Sequence, residues 1–206
     1  MYDCHLNDFP KTSRLRFLTT DELIEILKKI KPRRALFEGW EPTLDPMLTK
    51  IADSIRSNGI HTVLLTNGYL YPPIESFDEI KVSIKALSNQ VHMYYTGKSN
   101  RRVLENFKSI YKNAPEKLSA ETVLIPGLVD IDEVVHVAKF ISNINPTIPL
   151  RIDCYWPIVP NTPWRAPTRE EIRSAVITAR RYLENVNYLS SDAKVIGKVY
   201  NLWPIE

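Results

Sequence analysis

Four short segments of the chain concentrate the polar and glycine residues that close on a ligand: Phe37-Glu38-Gly39-Trp40-Glu41-Pro42, Thr66-Asn67-Gly68, Ser83-Ile84-Lys85-Ala86 and Ile125-Pro126-Gly127. Each closes a short apolar run and precedes a stretch with helical spacing. All four are therefore expected at one rim of a parallel β/α sheet or barrel, where ligands bind in such folds. The chain has six glycines, and Gly39, Gly68 and Gly127 fall just after strands, where bare backbone can approach a ligand closely. Taken singly they read equally as turn glycines, and Lys85 as a surface lysine at a strand end. Of the histidines, His5 sits beside Cys4, His61 opens a strand, His92 is placed in a loop and His136 on a helix. Their spacings make no zinc site, and no Ser-His-Asp or paired-carboxylate arrangement stands out, so hydrolytic chemistry gets little support.

The elements that must position these segments are legible in the hydrophobic periodicity. Thr19-Thr20-Asp21-Glu22 has the Thr-x-x-Glu form of a capping box, and Leu23, Ile26, Leu27 and Ile30 follow at helical spacing. Ala35 to Phe37 is a short strand. Asp45-Pro46 opens a second helix with Leu48, Ile51, Ala52 and Ile55 on one face, closed by Gly59. His61 to Leu65 is a continuous apolar strand of the type buried on both faces, and Ile80 to Ile84 is the next strand. A helix from Ser99 to Lys112, a strand from Leu118 to Ile125, a helix capped by Asp130 and Glu133, and a strand from Leu150 to Tyr155 follow. Trp156 to Pro167 is too rich in proline for helix or interior strand. Thr168 with Glu171 repeats the capping box before a last long helix, and Val186 to Leu189 reads as a final strand. The segment from Asp192 to Glu206 is not assigned. Strands alternating with helices define an α/β protein with a mainly parallel sheet. About six strands fall short of the eight of a closed barrel, so an open, partial TIM-type (β/α) barrel is expected.

At 206 residues the chain is read as one domain with one core. Apolar residues at 44% and charged residues at 25% are ordinary for a globular protein. The net charge of +3 comes from 27 basic and 24 acidic residues in short, scattered clusters, unlike the dense basic stripe of a nucleic-acid binder. No apolar run approaches the roughly 20 residues that span a bilayer, and the polar start, Met1 to His5, is unlike a secretory signal. Two cysteines make no disulfide framework, so a cytoplasmic location is the default expectation. Neither nucleic acid nor membrane is expected as a partner.

In their order along the chain, the four segments resemble the radical S-adenosylmethionine (SAM) superfamily, and in particular the activating enzymes of glycyl-radical proteins such as pyruvate formate-lyase. Glu38 to Pro42 resembles the family's Gly-Gly-Glu-Pro segment, with Trp40 at the second glycine. The resemblance implies that this segment's carbonyls and carboxylate hold the SAM ammonium. Leu65 to Gly68 is similar to Asp-Thr-Asn-Gly, with Leu65 in place of the acid. The next strand is similar to an Asp-x-Lys-Ala segment, with Ser83 in place of the aspartate and Lys85 kept. Tyr94 to Gly97 with Asn100, Val103 and Leu104, then Val123 to Gly127 with Asp130, and then Trp164 to Ala175 continue the likeness, which runs from about residue 4 to residue 190. It implies a SAM site formed by Gly39, Trp40, Glu41, Pro42, Thr66, Asn67, Ser83 and Lys85, with Lys85 pairing with the SAM carboxylate.

Tyr2 to Asp8 looks like the tail of the family's Cys-x-x-x-Cys-x-x-Cys loop, which makes Cys4 the third cluster ligand; read without the resemblance, Cys4 is a terminal thiol. The activity the resemblance implies is oxidoreductase chemistry, in which a [4Fe–4S] iron–sulfur cluster cleaves SAM reductively to generate a radical on a glycyl-radical protein or another substrate. Cys4 and Cys154 are the chain's two cysteines, and they cannot supply three ligands. The domain is accordingly expected to be incomplete at its N-terminus and inactive as this chain alone. The alternative expectation is a pseudoenzyme or partner subunit that binds SAM or a protein without radical chemistry. Without the family's first strand, the edge near Ala35 to Phe37 is expected to be open to a chain that completes the sheet.

Overall fold

The computed structural model describes residues 18–157, 162–190 and 193. Its elements run α1 (Thr20–Ile30), β1 (Arg34–Phe37), α2 (Leu48–Ser57), β2 (His61–Thr66), β3 (Glu79–Ser83), α3 (Asn89–Thr96), α4 (Arg101–Asn113), β4 (Leu118–Leu124), α5 (Ile131–Ser142), β5 (Leu150–Cys154), α6 (Arg169–Ala179) and β6 (Val186–Leu189). The six strands lie in chain order, β1 to β6, and every neighbouring pair is parallel. Parallel pairs need crossovers, and right-handed crossovers between successive strands all fall on one side of the sheet. The sheet therefore curls into an open half-barrel, the partial TIM-type architecture expected from the sequence.

One-sided winding splits the residues of each strand by their parity. Leu64, Ile80, Val82, Ala120 and Ile152 face the helices and join Ala52, Phe107, Val134 and Ala175 in one buried core. Strand residues of the other parity form the concave face, and in the central strands these are polar apart from Val123: Glu79, Lys81 and Ser83 on β3, Ser119 and Glu121 on β4, Arg151 and Asp153 on β5. A closed barrel fills this interior with branched apolar side chains. Here it is a charged cradle.

Both predicted capping boxes form. Thr19 N–H donates to Glu22 at 2.9 Å while Glu22 N–H donates to the Thr19 hydroxyl at 3.2 Å. The Thr168–Glu171 pair repeats this at 2.8 and 3.2 Å. Arg165 adds a two-pronged contact to Glu171, and this hydrogen bonding holds the Glu171 carboxyl down at about 2.

Four sequence expectations need correction. The second helix starts at Leu48 and not at Asp45, because the Asp45 carboxylate accepts from Met47 N–H and a 3-10 turn occupies Pro42–Leu44. His92 lies in α3 and not in a loop; Ser88 caps that helix and Gly97 ends it in the left-handed conformation. Asp130 stands at the N-cap of α5, but neither it nor Glu133 caps the helix by side chain. Asp130 accepts from Gly127 N–H at 2.9 Å, and Glu133 accepts from the backbone N–H groups of Leu87 and Ser88. His61 opens β2 as expected but is itself exposed. On its outer side, β1 has no strand partner among the described residues.

Candidate functional site

The C-terminal ends of β1, β2 and β3 bring three of the four segments around one cavity of about 420 Å³. Gly39, Trp40, Glu41, Thr66, Asn67, Ser83 and Lys85 all line it. The fourth segment ends β4 at the same rim, where Gly127 N–H is held by Asp130. A larger cavity of about 750 Å³ opens at the opposite rim, beside Arg34, Glu79 and Asn187, and none of the four segments reaches it.

Glu41 ties the first segment to the second. Its Oε1 accepts from Thr43 N–H at 3.1 Å, the Thr43 hydroxyl at 2.6 Å and the Thr66 hydroxyl at 2.7 Å, while Oε2 accepts from Asn67 N–H at 2.7 Å. Pro42 is the first residue of the 3-10 turn that Glu41 caps, and its fixed φ suits that position. Gly39 has φ +134°, a conformation side-chain-bearing residues avoid, although a Cβ there would meet nothing within 4 Å. Trp40, next along, is 90% exposed.

Gly68 is required twice over. Its φ is +72°, and a Cβ would come to 2.7 Å from Val82 Cγ1. The Asn67 side chain accepts from Tyr69 N–H at 2.8 Å, an Asx turn that sets the loop. The cavity wall between these polar ends is apolar, with Leu44, Leu65, Leu70 and Val103.

The third segment begins a polar chain across the concave face. Lys85 Nζ donates to the Ser83 hydroxyl at 2.9 Å, and that hydroxyl donates to Glu121 Oε1 at 3.3 Å from the register position directly opposite. Glu121, 5% exposed, is ion-paired with Arg151, which also pairs with Asp153 at 2.8 Å. Burial pushes the Lys85 ammonium below the ordinary lysine range, with Glu121, Asp153 and Glu41 opposing that shift. Asp153 is pushed up to about 6, by burial first and by the Glu121 charge second.

Glu121 and His92 line the cavity and were missed from the sequence. Glu121 enters through cross-strand register, which a single strand does not reveal. His92 is 4% exposed, its Nδ1 lies 2.8 Å from the Lys98 carbonyl oxygen and 3.1 Å from the Thr96 hydroxyl, and its helix has no continuous apolar stripe. A short histidine-to-Thr-Gly spacing before the left-handed Gly97 was the available signal.

SAM combines a flat base with an amino-acid zwitterion. A slot with apolar walls, a withdrawn ammonium at Lys85 and a buried carboxylate beside it fits that combination, and its volume lies within the roughly 300–1,000 Å³ of small-molecule sites. An iron–sulfur cluster does not fit the described residues. Among the described residues no group of three or more His, Cys, Asp or Glu could hold a metal. Cys154 ends β5 on the parity that faces the helices, packed against the core, and Cys4 lies outside the described residues.

The fold is an open parallel half-barrel with a ligand-sized cavity at the C-terminal rim of its strands. Residues 4–141 match the sequence profile of the Radical SAM superfamily, and the chain belongs to that superfamily. A Methanocaldococcus jannaschii protein classed with the glycyl-radical enzyme activating enzymes is 34% identical over 173 residues, covering 81% of this chain and 67% of the relative. The pyruvate formate-lyase-activating enzyme of Staphylococcus aureus is 28% identical over 162 residues, covering 69% and 64%. The chain thus spans about two thirds of the length of these relatives. Among solved structures, a domain of a pyruvate-formate lyase-activating enzyme from Bacteroides vulgatus superposes with a TM-score of 0.63 at 18% identity, covering 76% of this chain and 98% of that one. Streptococcus suis SuiB bound to S-adenosylmethionine superposes with a TM-score of 0.70 at 14% identity, covering 88% and 45%. These two establish likeness of fold. No helix among the described residues is long and apolar enough to cross a membrane.

Proposed function

We propose that this chain binds SAM at the C-terminal rim of its half-barrel and forms the SAM-holding part of an activating enzyme of the glycyl-radical type, with a glycyl-radical protein as the substrate class. The supporting observation is the convergence of Gly39, Glu41, Thr66, Asn67, Ser83 and Lys85 on one cavity from three separate strand ends. Within it, Lys85 pairs with the ligand carboxylate, Glu41 locks the first two loops together, and the apolar wall excludes water from the base. SAM supplies a sulfonium that a one-electron reductant can cleave. In this superfamily that reductant would be an iron–sulfur cluster; Cys4 would supply one of its thiolates, and the two cysteines of the sequence leave at least one of three to be supplied from elsewhere.

Two cysteines in the whole sequence also support a second reading, in which the chain holds SAM or a protein partner without radical chemistry of its own. Isothermal titration of the chain with S-adenosylhomocysteine, a stable SAM analogue, tests the shared claim. Saturable one-to-one binding that weakens at least tenfold in Lys85→Ala is expected, and no detectable binding refutes it. Anaerobic reconstitution with iron and sulfide separates the two readings. Stoichiometric iron that is lost in Cys4→Ser favours the activating enzyme, whereas iron-free protein that binds the analogue favours the second.

A further inference from the structure

Lys85 stands between two fixed points. On one side, Ile84 N–H donates to the Glu121 carbonyl oxygen at 2.8 Å, which fastens the end of β3 to β4. On the other, the turn Ala86-Leu87-Ser88 leaves the sheet, and its backbone groups must find partners outside the ladder. Two buried side chains supply them. Glu133 on α5 accepts from the N–H groups of Leu87 and Ser88 on a single oxygen, Oε1. Asn100, at the N-cap of α4, donates from its side-chain amide to the carbonyl oxygens of Ala86 and Leu87. Four backbone groups on three consecutive residues are thus held by two residues that do not line the rim cavity. Neither side chain caps its own helix. Among the described residues the only ion pair of Glu133 is to exposed His136 at 3.7 Å. A buried carboxylate with so little cationic support depends on the N–H groups of the turn, and the turn on it.

We propose that Glu133 and Asn100 are positioning residues for Lys85: by fixing the backbone turn that follows it, they hold its ammonium ready for the ligand carboxylate. This rests on the reading of the rim cavity as a SAM site and adds to it two residues that act on Lys85 only through the backbone. A lysine side chain is long and rich in rotamers, so where its ammonium lies depends on how firmly its own backbone is held. With the turn freed, Lys85 is anchored on the sheet side alone. Its ordering is then deferred to the moment of binding, a loss of about fivefold in affinity for one such side chain.

The test is isothermal titration with two probes, S-adenosylhomocysteine and 5′-methylthioadenosine, which lacks the amino-acid carboxylate. Glu133→Ala is expected to weaken the first probe about fivefold and to change the second by less than about twofold. Glu133→Gln keeps an oxygen that can accept from both N–H groups, and is expected to bind both probes within about twofold of wild type. Added to Lys85→Ala, Glu133→Ala is expected to change the first probe by less than about a further twofold, because the group it positions is gone. Unchanged binding of the first probe in Glu133→Ala overturns the proposal, as does equal weakening of both probes. A loss in Glu133→Gln as large as in Glu133→Ala, or a fully additive loss on Lys85→Ala, overturns it too. If Glu133→Ala does not fold, Asn100→Ala, which frees the carbonyl side of the same turn, decides by the same probes and the same combination with Lys85→Ala. A wild-type chain that binds neither probe overturns the SAM reading and this proposal together. A wild-type chain that binds the first probe, with Glu133→Ala binding it equally well, overturns this proposal alone.

Discussion

Glu41→Gln probes the joint between the first two loops with almost no change in volume. The wild-type carboxylate only accepts, and it receives three donors on Oε1 and one on Oε2. An amide presents one acceptor and one donor, so one side of the joint must lose its bonds whichever way the amide turns. The less costly orientation aims the amide nitrogen at Asn67 N–H, setting donor against donor at a site where the native distance is 2.7 Å. One bond to a charged group is lost and one backbone N–H is stranded, a cost of about 2 kcal/mol. For a chain of this length that corresponds to a fall of roughly 4–8 °C in melting temperature, measured by circular dichroism. Glu41→Ala removes all four bonds and is expected to fall further. Melting of Glu41→Gln within about 1 °C of wild type would refute the argument that the two loops are held through this carboxylate.

Gly68→Ala places a Cβ at 2.7 Å from Val82 Cγ1 in a left-handed backbone, and a loss of about 2–3 kcal/mol is expected from the urea midpoint. His92→Leu removes the bond to the Lys98 carbonyl oxygen and should lower stability by about 1–2 kcal/mol, while His92→Asn, whose amide N–H reaches a similar point, should lose less in the same urea titration. Asp153 has a folded pKa of about 6 against an ordinary 3.8, so the folded protein binds this proton more tightly than the unfolded chain. Stability relative to Asp153→Asn is therefore greatest below about pH 4, declines between there and about pH 6, and is level above. Melting temperatures of the two proteins across that window check the sign, and a difference that grows in favour of wild type as pH rises contradicts it.

What the sequence showed and hid follows from the range of each interaction. Thr19–Glu22 and Thr168–Glu171 are legible because both partners of a capping box lie within one turn. The apolar run at Val63–Leu65 and the alternate apolar positions Ile80, Val82 and Ile84 are legible because parallel strands are covered on the helix side by a continuous core. The rim positions of Glu41, Thr66 and Lys85 follow from strand ends, which are local too. Glu121 was not visible as a site residue, since its meeting with Ser83 on one side and Arg151 on the other depends on the offset between β3, β4 and β5. Glu133 looked like a cap for α5 and instead serves the loop at Leu87 and Ser88, a long-range use of a residue with a ready local role. His92 was hidden because eight residues of polar and aromatic side chains show little of the periodicity by which longer helices are recognised.

A sheet wound strictly in chain order can be parted between any two βα units by severing a single hydrogen-bonded ladder, because no later strand threads back between earlier ones. Each resulting piece keeps its own helices over its own strands. The outer edge of β1, from Arg34 to Phe37, has the same character as such a parting line. A strand pairing there would lengthen the wall by one stave and enlarge the charged cradle without disturbing the staves already in place.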